Sequence, residues 1–234
     1  MNSSDDRPAN GATTLNRPGL PGDLPPAEVL WARWALGAVL HAATEEEGRG
    51  GYRTGTWMDD EGLHLDDAGC TWWTFARMAP GRFVLFGEDE SSDVKWHEPA
   101  VDMLAGAPKW LPYEELRDRL QGYELGCVYW CEDGAWARAP YPDDLDDDGL
   151  DCGISRFAVR AEALEMLDGN DYGTGHGAAL LLDRAEAYEL TPEMLASMVA
   201  DSGDTHWDLP AMTRALGRSG LAGDGTKGAV SSLR

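Results

Sequence analysis

Between Asp143 and Asp151 the chain reads DDLDDDGLD, which places carboxylates at Asp143, Asp144, Asp146, Asp147, Asp148 and Asp151. Aspartates at alternate positions followed by glycine are how a calcium loop converges oxygens on one ion, and Asp144, Asp146, Asp148 and Gly149 match the D-x-D-x-D-G half of that pattern. The other half is missing. The twelfth position, where a bidentate glutamate would close the shell, is Ser155, and Pro140 and Pro142 bar a helix from leading in. A solvated acidic loop is the preferred reading, and no metal or other cofactor is expected.

Other residues with chemistry to offer are scattered. His97-Glu98, in DVKWHEP, follows the acidic stretch GEDESSD, so a general base with a carboxylate from Glu88 to Glu90 or Asp93 is conceivable. Neighbours on an extended chain point to opposite sides, so His97 and Glu98 themselves would not meet. Cys127 and Cys131, four apart in an expected strand, share one face and read as small buried side chains, since their spacing is not that of a zinc knuckle. Gly173, Gly175 and Ala178 can be set on a dinucleotide fingerprint, but what precedes them is the helix-like RAEALEMLDGND instead of a strand. Neither a G-x-S-x-G elbow nor an H-E-x-x-H pair is present.

The elements that would position these groups follow from periodicity and punctuation. PPAEVLWARWALGAVLHAATEEEG predicts a first helix that ends near Gly48. From there short aromatic and β-branched segments predict strands at 52–58, 63–65, 71–78 and 82–87, the last two joined through Ala79-Pro80-Gly81. Pro112 opens a helix to Gln121. Strands 125–130 and 135–139 flank Asp133-Gly134, the strongest hairpin signal in the chain. Helices return at 157–167, 178–190 and 192–200, the last with Thr191 as N-cap. The expected class is α+β: an antiparallel β-meander covered by helices, with residues 25–202 as a single domain. Residues 1–24, a disordered tail, and 203–234, a mostly flexible one, are expected to flank it because Gly, Ser, Asn and Pro dominate there.

Composition narrows the function. With 42 acidic against 19 basic side chains the formal charge is −23, an excess carried by residues 26–202. Such a field repels phosphate backbones and anionic lipid, so no nucleic-acid or membrane partner is expected, while basic proteins and cations are attracted. Sparse cysteines, a polar N-terminus and the lack of a long apolar run predict a reduced, cytoplasmic protein. Ten tryptophans, seven of them between Trp57 and Trp136, are expected mainly in the core, with any exposed one marking a contact surface. The layout resembles, at the level of fold alone, the small α+β proteins that bacteria use to bind and neutralise other proteins. The leading expectation is a non-enzymatic acidic protein that binds a basic protein partner in the manner of an immunity protein or inhibitor, with the six aspartates steering the encounter. A hydrolase centred on His97 and a calcium-dependent binding module are the alternatives.

Overall fold

The computed structural model describes residues 14–43, 53–168, 174, 177–202 and 207–222. Six strands form one antiparallel sheet in the order β1 to β6: β1 (Gly55–Met58), β2 (Leu63–Asp66), β3 (Trp72–Ala79), β4 (Arg82–Glu88), β5 (Cys127–Glu132) and β6 (Ala135–Arg138). Each pairs with its sequence neighbour, because every connection but β4–β5 is a turn too short to allow anything else. Gly81 and the Asp133-Gly134 pair supply the positive φ that the β3–β4 and β5–β6 turns require.

The pleat sorts each strand onto two faces. Leu63, Phe75, Leu85 and Tyr129 are cross-strand partners on one face, as are Leu65 and Trp73 one row on. This face carries the larger core. Helix α1 (Ala27–His41) lies over it, buried nearly all round as an inner helix should be. Helices α3 (Asp151–Ala158), α4 (Arg160–Asp168), α5 (Ala178–Glu186), α6 (Pro192–Ser202) and α7 (Leu209–Ser219) complete this layer. Trp34 stacks on Phe157 at 4.7 Å, and its indole donates to the His64 carbonyl. Arg33, buried in α1, pairs with Glu186 and donates to the carbonyls of Phe157 and Ala158. A guanidinium there is tolerable because its donors are met.

His64, Thr74, Phe86 and Val128 form a row on the opposite face, beside Val84 and Trp130. A smaller core forms on this side under the β4–β5 connection, which contains a 3-10 turn (Val94–Trp96) and α2 (Tyr113–Gln121), with Leu116 as its most buried residue. As its alternation predicts, Trp73 enters the large core while Trp72 turns to this side, where Arg119 lies 4.5 Å above its ring. Cys127 and Cys131 share the larger-core face, both buried and unbridged.

Three boundaries differ from the sequence expectation. Helix α1 reaches His41, and the stretch expected to carry it to Gly48 lies beyond residue 43, outside the described residues. Residues 14–24, placed in a tail on composition, pack on the domain: Leu15 and Leu24 are buried, and Asp23 gathers the Asn16 and Leu20 amides at 3.0 and 2.8 Å. Past residue 202, α7 packs on α1, and Leu221 accepts from the Leu190 amide in a short parallel bridge. Both segments are held by long-range contacts that composition does not register. The parts of the two expected tails at 1–13 and 223–234 lie outside the described residues.

Candidate functional site

The acidic loop divides into an inward and an outward half. Asp148 is 1% exposed and accepts from the Gly19 amide at 2.9 Å, from the Leu150 amide at 3.3 Å and from the Tyr129 hydroxyl at 2.7 Å. The same hydroxyl lies 2.7 Å from the Gly19 carbonyl, so its single proton serves one acceptor at a time. The Arg138 guanidinium also donates to that carbonyl. Burial beside the Asp148 charge pushes the Tyr129 phenol well above its ordinary range, which keeps it a donor. Asp151 and Asp147 pair with Arg17 at 2.6 and 3.6 Å. These three carboxylates therefore fasten residues 17–19 to the sheet end.

Asp143, Asp144 and Asp146 are exposed. The D-x-D-x-D-G alignment fails as a calcium loop for this reason: Asp148, its third ligand, is consumed by internal donors while Asp144 turns to a histidine. Gly149 with its positive φ does make the sharp bend the motif prescribes, and presses against Asp89.

That histidine is His97. Its Nε2 lies 3.2 Å from Asp144 Oδ1 and its Nδ1 2.9 Å from the Pro99 carbonyl. The carboxylate partner expected from Glu88 to Glu90 or Asp93 is thus not the one found. Glu88 pairs with Lys95, and Asp89 accepts from Thr71 and Ser91. Two acceptors face the two ring nitrogens, so the geometry is satisfied only by the doubly protonated ring. The Pro99 carbonyl first, with the Asp144 carboxylate behind it, outweighs desolvation and raises the His97 pKa. With both nitrogens engaged the ring has none free to take a substrate proton.

Next to this pair sit two large exposed aromatic rings. Trp96 is 66% and Tyr123 64% exposed, and they stack with centroids 6.0 Å apart and planes 13° from parallel. Lys95 supports both, with its ammonium 5.4 Å from the Trp96 ring, bonded to the Tyr123 carbonyl and held by Glu88. Val94, fully buried, anchors the turn that presents Trp96, and the Asp93 amide donates to the Asp147 carbonyl, tying that turn to the acidic loop. Asp93, Glu98 and Glu124 are exposed beside the pair in the chain. Sequence reading missed the pair because Trp96 and Tyr123 lie on either side of α2. The signal was available in KWHEP and QGYE, where an aromatic sits next to turn residues and charges without a periodic apolar companion.

Basic side chains collect elsewhere. Arg53, Arg214 and Arg218 line a small cavity with Trp57, Met58 and alanines of α1 and α7. The alignment of Gly173, Gly175 and Ala178 with a dinucleotide turn lacks its scaffold, since α4 precedes it where a strand is required; both glycines lie outside the described residues.

Fold and surface together define an α+β protein built on a six-stranded meander, with carboxylates around an exposed aromatic pair. Comparison with protein-family models, with curated proteins and with solved structures finds no match for the chain. No helix among the described residues is long and apolar enough to cross a membrane.

Proposed function

We propose that the protein is a non-enzymatic binding protein that takes up a basic protein partner, in the manner of an inhibitor or immunity protein. The stacked, exposed Trp96–Tyr123 pair carries this reading. Aromatic anchors of low conformational entropy supply most of the energy in protein interfaces, and exposing two together costs solubility unless something covers them. The surrounding carboxylates fit a cationic partner. Asp143 and Asp146 are placed to steer it, with Asp144 beside them held against His97, whereas Asp147, Asp148 and Asp151 belong to the internal clasp and support the loop's shape. Steering by exposed charges acts on the association rate and is screened by salt.

The test is capture of proteins from the source cells on the immobilised chain at low and at high salt, beside the variant D143N/D144N/D146N. The expected result is a discrete basic protein retained at low ionic strength and weakened by both salt and the triple substitution. Retention of nothing, or of the same proteins by both chains at both salt concentrations, contradicts the reading.

A further inference from the structure

The β1–β2 turn holds a cluster unconnected with the acidic loop. Asp59, Glu61 and His64 each offer a ligand atom, and the three atoms lie within 4.8 Å of one another. We propose that they form a binding site for a divalent transition-metal ion of the zinc type.

The local structure is that of a built site. Asp59 and Gly62 close the turn through an amide-to-carbonyl bond of 3.0 Å, and the Glu61 amide donates to Asp59 Oδ1 at 2.9 Å. The Asp59 carboxylate is thereby held in a tight bend, with the exposed Glu61 side chain two residues on. Gly62 packs directly on β3, where a Cβ would stand 2.5 Å from the Phe75 carbonyl oxygen, so only glycine lets the turn lie this close to the sheet. His64 enters from β2. Its ring stacks on Trp57 at 5.2 Å and 17°, and its Nδ1 lies 3.2 Å from Thr74 Oγ1, which belongs to its cross-strand partner.

Chemistry selects the ion. Tetrahedral zinc with bonds near 2.0 to 2.1 Å needs ligand atoms about 3.3 Å apart. His64 Nε2 and Asp59 Oδ1 stand at 2.9 Å, so they need separate by only a few tenths of an ångström, while exposed Glu61 closes from the solvent side. The Thr74 hydroxyl can accept as well as donate. When it accepts from Nδ1, the Nε2 lone pair points at the two carboxylates, which is the tautomer a metal requires and the outer-shell bond that metal-bound histidines usually make. One imidazole with two carboxylates suits zinc and its neighbours better than calcium or magnesium, which want six or more oxygens. Three protein ligands leave a position open to water or to a ligand atom from outside.

Titration of the full chain with zinc chloride in the presence of millimolar calcium chloride, followed by calorimetry, tests this. The expected result is one tight site per chain. Thr74→Val should weaken it about 10- to 100-fold by removing the outer-shell partner. Glu61→Gln, on an exposed side chain that leaves folding intact, and His64→Gln should weaken it at least as much, while D143N/D146N leaves it unchanged. The proposal is overturned if no stoichiometric zinc binding survives calcium, or if Glu61→Gln binds as wild type does.

Discussion

Asp148 and Gly19, 129 positions apart, are joined by a 2.9 Å hydrogen bond in the interior of the protein. This contact turns what reads as a run of surface aspartates into two populations with different duties. It also turns an apparent lead-in segment into part of the domain. Gly19 is the residue this approach demands, since a Cβ there would stand 2.5 Å from Leu150 Cδ2 and 2.7 Å from the Tyr129 hydroxyl.

Replacing Asp148 by Ala strands two buried amides, those of Gly19 and Leu150, while the Tyr129 hydroxyl keeps the Gly19 carbonyl; at about 1–3 kcal/mol each, a loss of about 2 kcal/mol or more is expected by urea denaturation. Gly19→Ala overpacks the same spot and should cost about 1–3 kcal/mol. Asp143→Asn and Asp146→Asn, on the outward half, should stay within about 0.5 kcal/mol of wild type. Equal effects across the loop would show that the division is wrong.

His97 gives a pH signature. Its folded pKa is raised above its unfolded value, so its link to Pro99 and Asp144 stabilises fully below about pH 6.5 and is lost as pH climbs through the raised folded pKa. A histidine NMR titration should show this elevated pKa, and Asp144→Asn should lower it part of the way, leaving the Pro99 contribution. An unshifted His97, or one indifferent to Asp144→Asn, would refute the pairing.

The four thiols should separate into classes. Cys70 is exposed, and Glu90 raises its pKa through a hydrogen bond and its charge, so it should react with a disulfide reagent in the native state, and faster in Glu90→Gln. Burial pushes the Cys127 thiol far up and raises that of Cys131; both should react only on unfolding. Cys152, half-buried with a thiol pushed up to about 11 by desolvation, should lag behind Cys70. Simultaneous release of all four in native buffer would contradict the packing described.

Local signals carried most of the fold. Asp133-Gly134, Ala79-Pro80-Gly81, the Pro112 entrance to α2 and the opposed directions of Trp72 and Trp73 all depend on a few adjacent residues, and each is found as read. Helix α7 was readable too. Asp208 caps it by accepting from the Ala211 amide, Pro210 sits in its first turn, Met212 and Leu216 are buried four apart, and Gly220 ends it in the left-handed region. The Gly/Ser-rich sequence after it masks those marks. The helix expected over 157–167 divides at Val159, whose extended backbone separates α3 from α4, and α3 itself is interrupted at Cys152 and Gly153. The candidate site was the least legible part. His97 meets Asp144 across 47 positions and Trp96 meets Tyr123 across α2, and both meetings depend on how the β4–β5 connection folds back over the sheet.

The central claim is that Trp96 and Tyr123 anchor a basic protein on this face. Its most direct test is calorimetric affinity for the captured partner, comparing the wild type with Trp96→Ala and Tyr123→Ala. Neither ring is part of a buried core, so both variants should fold. The account predicts that at least one substitution costs about 2 kcal/mol, roughly a 30-fold weaker Kd. Unchanged affinity in both variants would contradict it.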